Sequence, residues 1–130
     1  MRLMTHPSLE LHGDGGLLHG VRHTLHPGEV VVVGRSRSCD ISLRTAPGFV
    51  RHPRQHRVFL SRRFQRISRV HCQISYLTDG RLEVRDLSRN GTFVDGSRVS
   101  GAHLLPGVDA PVRVELCDAA YGVLTLSRCH

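Results

Sequence analysis

Three short groups of polar residues stand out by type and spacing: Gly34-Arg35, then Ser68-Arg69-Val70-His71, then Asn90-Gly91-Thr92. A hydroxyl, guanidinium forks and a carboxamide are donors that suit a phosphate group, which carries about −1.5 to −2 charges and three acceptor oxygens. The surrounding charge agrees. Between Ile41 and Thr78 there are eight arginines and no aspartate or glutamate, so that window carries +8 against +7 for the whole 130-residue chain. All 18 basic residues are arginine, each a planar fork suited to phosphate or carboxylate. Such groups work together only if a scaffold brings their loops to one edge.

The scaffold reads as all-β. Short apolar runs alternate with turn signals, and no stretch has the period of an amphipathic helix. Leu9-Glu10-Leu11 meets Gly13-Asp14-Gly15-Gly16, Val21 to Leu25 closes at Pro27-Gly28, and Val30 to Val33 ends at Gly34. Ile41-Ser42-Leu43 alternates briefly, and His71 to Leu77 leads into an Asp79-Gly80 turn. Leu82 to Leu87 alternates strictly, Thr92-Phe93-Val94 lies between Asn90-Gly91 and Asp95-Gly96, and Val99, Leu104-Leu105, Val112 to Leu116 and Tyr121 to Leu126 follow. About ten or eleven strands with turns roughly every eight to twelve residues predict a β-sandwich of two antiparallel sheets. One domain is expected over residues 1–130, its core from about 9 to 126. The Arg- and His-rich stretch from about 44 to 66 is too long for an ordinary connection and reads as a loop insertion. Its apolar content is Phe49-Val50, Val58-Phe59-Leu60 and Phe64.

The ordered set Gly-Arg, Ser-x-x-His and Asn-Gly-Thr, separated by strands, resembles the forkhead-associated (FHA) domain, a phosphothreonine-recognition module. The resemblance runs from about Leu9 to Leu126. It implies that Arg35 contacts the phosphopeptide near its phosphothreonine, that the Ser68 hydroxyl binds a phosphate oxygen, and that Arg69 reaches phosphate or peptide. It further implies that Asn90 hydrogen-bonds the peptide backbone, and that Arg66 and Arg89 touch phosphate or help choose the third residue after the phosphothreonine. Gly34, His71, Gly91 and Thr92 are implied scaffold residues. Two departures stand out: Asp95 replaces the asparagine often found before the final glycine of this motif, and the insertion lengthens the connection before Ser68.

Other chemistries fit less well. Ser68 and His71, with Asp86, resemble a nucleophile, base and orienter in type, but their spacing across a loop-to-strand entry does not imply a catalytic hydrogen bond. No enzymatic activity is expected. His19, His23 and His26, with Cys129 and His130, match no tetrahedral ligand spacing, so neither metal nor other cofactor is expected. Cys39, Cys72, Cys117 and Cys129 form no Cys-x-x-Cys pair and read as free thiols. No apolar run approaches the roughly 18–20 residues of a membrane span, and the N-terminus lacks the apolar stretch of a secretory signal. A monomer inside the cell, nuclear or cytoplasmic, is expected, with a phosphothreonine-containing protein as partner and a role as adaptor in signalling. Two rivals remain open: a basic nucleic-acid-binding domain, and a phospho-independent protein-assembly domain on the same sandwich.

Overall fold

The computed structural model describes residues 6–47, 65–118 and 121–129. The expected apolar patches of the insertion, Phe49-Val50, Val58-Phe59-Leu60 and Phe64, lie outside the described residues. Eleven strands are described: β1 (Leu9–Gly16), β2 (Arg22–Leu25), β3 (Val30–Gly34), β4 (Ile41–Ser42), β5 (Cys72–Tyr76), β6 (Leu82–Asp86), β7 (Thr92–Val94), β8 (Ser97–Arg98), β9 (Ala102–Leu105), β10 (Val112–Leu116) and β11 (Gly122–Arg128). They form a six-stranded sheet, β2-β1-β11-β10-β7-β8, and a five-stranded sheet, β4-β3-β5-β6-β9. The expected β-sandwich is present, and most boundaries shift by a residue or two. The exception is Gly13-Asp14-Gly15-Gly16, which reads as a turn but continues β1 as strand against β11, with a register shift between Gly13 and Gly15. The isolated strand expected at Val99 is instead a buried residue just past β8, its amide donating to the Thr92 carbonyl at 2.8 Å.

Alternation explains which residues meet between the sheets. Val112, Val114 and Leu116 of β10 point inward while Arg113 and Glu115 point out or sit at the margin. Leu82 and Val84 of β6 are likewise buried, with Glu83 and Arg85 on the other face. Leu9, Leu11, Leu124 and Leu126 join them from the six-stranded sheet, opposite Val31, Val33, Ile74 and Tyr76 from the five-stranded one. All four cysteines are free thiols, with Cys39 and Cys72 buried. Burial pushes the Cys72 thiol well above its ordinary range.

One expectation needs correction: the sheets are not wholly antiparallel. β3 and β4 pair in parallel, Val33 against Ile41 and Gly34 against Ser42. The chain turns back after Gly34, and the Asp40 carboxylate accepts the Val32 amide at 2.8 Å. That contact returns the chain to the middle of β3, so Ile41 runs forward again alongside its last two residues. A two-residue strand carries no directional signal in its sequence.

The turn between β7 and β8 is built as its residues require. Asp95 (φ 48°) and Gly96 (φ 86°) both occupy the left-handed region, as a two-residue type I′ hairpin demands. Asp95 also accepts the Arg113 amide at 2.9 Å, so its carboxylate locks the turn to β10. No helix among the described residues is long and apolar enough to cross a membrane.

Leu124 is fully buried in β11, where Gly13 and Val114 flank it on the neighbouring strands. Leu124→Ala should destabilise the fold by about 2–5 kcal/mol through lost burial and a residual cavity. Urea unfolding should show this as a lower midpoint with an unchanged slope.

Candidate functional site

Strand pairing alone brings three distant segments to one end of the five-stranded sheet. Val33, near the end of β3, pairs with Cys72 at the start of β5, and Cys72 pairs with Asp86 at the end of β6. The segments that leave or enter these strands there are Arg35–Asp40, Gln65–His71 and Leu87–Gly91. These hold the three polar groups singled out by sequence.

Backbone hydrogen bonds then lay the first two side by side. The Arg35 amide donates to the Ser68 carbonyl and the Ser36 amide to the Arg69 carbonyl, both at 3.0 Å, and the His71 amide donates to the Val33 carbonyl at 2.8 Å. The approach is close enough to require glycine at position 34. A Cβ there would stand 2.3 Å from the Arg69 carbonyl oxygen and 2.9 Å from the His71 nitrogen.

His71 ties the second segment to the third. It is fully buried. The Ser68 amide donates to Nδ1 at 3.2 Å, which leaves the ring proton on Nε2, and Nε2 donates to the Gly91 carbonyl at 2.7 Å. Burial pushes the His71 pKa down and outweighs the Gly91 bond, which favours the charged form. Gly91 itself sits at φ 104°, and its amide donates to the Ser88 hydroxyl at 2.8 Å. Beneath it, Asp86 Oδ1 accepts the Ser88 amide (3.0 Å), the Ser88 hydroxyl (2.5 Å) and the buried Thr92 hydroxyl (2.9 Å). Burial pushes the Asp86 carboxyl up, but these donors prevail and hold it below the usual carboxylate range.

The same bonds exclude the triad suggested by residue type. The Ser68 Oγ accepts the Arg89 amide at 3.0 Å rather than facing the imidazole. Both ring nitrogens of His71 are engaged by backbone, and Asp86 is spent on Ser88 and Thr92.

Above this layer lies a cleft of about 290 Å³, lined by Arg35, Gln65, Arg66, Ser68, Arg69, Arg89 and Asn90. All six residues expected to contact a ligand line it, and the four expected scaffold residues lie beneath. The Arg35 Nε donates to the Ile67 carbonyl at 3.0 Å, which fixes the direction of its guanidinium. Asn90 Nδ2 donates to the Arg66 carbonyl at 2.7 Å. The Arg66 guanidinium lies 5.9 Å from the Tyr121 ring centroid, and its neighbours, Cys117 first and then Tyr121, push its pKa up. Gln65, Cys117 and Tyr121 are neighbours that sequence reasoning missed. Cys117 and Tyr121 come from the turn between β10 and β11 of the other sheet, a proximity that no local pattern announces. A larger cavity of about 360 Å³ lies elsewhere, along Gly20–His23, Asp40–Ser42 and Thr45–Pro47, and gathers none of these donors. Among the described residues no group of histidine, cysteine or carboxylate side chains could hold a metal ion.

The FHA domain family matches residues 31–109, more than half of the chain and every residue named in the cleft and beneath it except Cys117 and Tyr121. The chain belongs to the FHA domain family. Solved FHA domains share its fold. That of the CT664 protein from Chlamydia trachomatis superposes with a TM-score of 0.67 at 21% identity, covering 95% of this chain and 99% of that one. The FHA domain of an Arabidopsis thaliana hypothetical protein gives 0.69 at 22% identity, covering 100% and 92%. The MEK1 FHA domain, solved in complex with a HOP1 phosphothreonine peptide, gives 0.58 at 20%, covering 94% and 97%. No curated protein sequence matches the chain.

Two outcomes test this construction. Gly34→Ala should displace the Ser68–His71 segment and lower the unfolding midpoint, because the added Cβ meets backbone rather than a yielding side chain. A variant as stable as wild type would contradict the close approach. For His71, a folded pKa below the ordinary value of about 6.5 means that the unfolded chain takes up the proton first as pH falls. Its contribution to stability is therefore intact above about pH 6.5 and declines below it. Denaturant unfolding between about pH 7.5 and 5.5 should show a shallower loss in His71→Gln than in wild type, even though the variant is less stable throughout; parallel slopes would refute it.

Proposed function

We propose that this chain recognises phosphothreonine-containing protein segments and acts as an adaptor module without catalysis of its own. The observation that carries the reading is the cleft itself, where Arg35, Arg66, Arg69 and Arg89 converge with Ser68 and Asn90 and, among the described residues, no carboxylate lines the wall. The MEK1 FHA domain holds a phosphothreonine peptide on the same fold, which supports the assignment. Residues 1–130 are taken as one such module, with about 44–66 inserted in the connection before Ser68.

The roles follow from donors and charge. Arg35 and Arg69 supply charged donors to the phosphate oxygens. Ser68 supplies a neutral one: its Oγ already accepts the Arg89 amide, so its proton is the part left to give. Asn90 spends its amide nitrogen on the Arg66 carbonyl, and its Oδ1 is the atom suited to accept a peptide N–H beside the phosphothreonine. Arg66 and Arg89 flank the site and bear on the phosphate or on the residue three places downstream. Discrimination of threonine from serine rests on one methyl, worth roughly 1–3 kcal/mol in a fitted pocket. That demands rigid walls, and the backbone bonds beneath the cleft support them.

Charge-assisted hydrogen bonds contribute about 1.5–3 kcal/mol each, and about 1.4 kcal/mol is tenfold in affinity. Arg35→Ala and Ser68→Ala should each weaken binding of a phosphothreonine peptide by about tenfold or more in calorimetric titrations, with circular dichroism unchanged. Binding should also weaken as salt rises. Full-strength binding by Arg35→Ala, or equal binding of the unphosphorylated peptide, would overturn the reading.

A further inference from the structure

The arginines do not stop at this cleft. A second cavity of about 250 Å³ adjoins it, lined by Arg35, Ser36, Arg37, Arg44 and Arg69. The two cavities share Arg35 and Arg69, and among the described residues six arginines but no aspartate or glutamate line their walls. Asp40, the one carboxylate in the loop from Arg35 to Asp40, is turned to the Val32 amide of β3.

The second cavity is held by backbone. The Ser36 amide donates to the Arg69 carbonyl at 3.0 Å and the Cys39 amide to the Ser36 carbonyl at 3.1 Å. The Ser38 amide donates to the Ser36 hydroxyl at 3.2 Å. This turn carries Arg35 and Arg37. Arg44 follows β4, where the Leu43 amide donates to the Gly34 carbonyl at 3.0 Å and the Arg44 amide to the Ser42 hydroxyl at 3.2 Å. The parallel β3–β4 pair thus sets Arg44 beside the loop that bears Arg37.

One phosphothreonine brings about −2 charges at most, and the second cavity adds Arg37 and Arg44 to the guanidiniums already around it. Crowded like charges repel and destabilise the compact state, and a second anion would relieve them. We propose that the second cavity takes a second anionic group of the same ligand, a phosphate or a carboxylate close in sequence to the phosphothreonine. An extended peptide advances about 3.3–3.6 Å per residue, so cavities that share two side chains are bridged by few residues. This rests on the reading of the first cleft as the phosphothreonine site.

The test uses a phosphothreonine peptide alone, then with a second phosphoserine placed one to about five residues to either side, then with glutamate at those places. Each is titrated into wild type and into the Arg37→Gln/Arg44→Gln double variant, with duplex DNA as competitor. At one or more spacings the second phosphate should tighten binding by about tenfold or more, and glutamate by less. A gain from phosphate alone assigns the cavity to a second phosphorylated residue; a matching gain from glutamate assigns it to acidic sequence. In the double variant the gain should disappear while binding of the singly phosphorylated peptide stays within about threefold of wild type. No gain at any spacing, or a gain that survives in the double variant, overturns this proposal and leaves the first cleft standing. DNA that displaces the doubly phosphorylated peptide at comparable concentration overturns it in favour of a nucleic-acid backbone. Failure of wild type to bind the singly phosphorylated peptide overturns both readings together.

Discussion

A buried imidazole that must stay neutral holds the cleft together. His71 is fully enclosed, and it bridges two loops by accepting from the Ser68 amide on one side and donating to the Gly91 carbonyl on the other. Only the neutral ring can do both, since a protonated one has no acceptor. Burial, which disfavours the charged form, therefore also preserves the bridge. Around it the contacts are backbone: Gly34 lets the Ser68–His71 segment lie against β3, and any Cβ would force them apart. Ser68, Arg69, Arg89 and Asn90 are positioned because the chain beneath them has no room to move.

This arrangement separates what fixes the loops from what faces a ligand. The supporting layer is neutral or internally compensated: a neutral histidine, two glycines, and an aspartate satisfied by Ser88 and Thr92. The layer that lines the cleft carries four guanidiniums among neutral polar groups. A pool of exposed guanidiniums costs little in water but becomes a strong anion trap once a ligand excludes that water. The arginines can then differ in role. Arg35 is anchored through Nε to the Ile67 carbonyl and Arg66 rests against Tyr121, whereas Arg69 and Arg89 are held mainly through their backbones.

Much of this was legible in the chain, for identifiable reasons. Strand positions followed from alternation and from turn dipeptides such as Asp79-Gly80 and Asp95-Gly96, since both signals are local. Six of the seven cleft residues were readable because each belongs to a motif at the end of a strand or lies beside one. Three features were not. The parallel β3–β4 pair depends on one carboxylate, Asp40, reaching back eight residues to Val32. The packing of Arg66 against Cys117 and Tyr121 joins residues of opposite sheets. Arg37 and Arg44, in the second cavity, looked in sequence like part of a general excess of positive charge.

The all-β character, the approximate strand positions and the chemical types available to a ligand follow from the sequence, because periodicity and side-chain chemistry are properties of neighbouring residues. The sequence also places eight of the eighteen arginines between Ile41 and Thr78. Folding sets which arginines share a cavity, which hydroxyl proton is committed, and which nitrogen of His71 carries its hydrogen. Those outcomes depend on pairing Val33 with Cys72 and Cys72 with Asp86, contacts between segments far apart in the chain. Position along the sequence carries no such distance, so burial and hydrogen-bond geometry had to settle it.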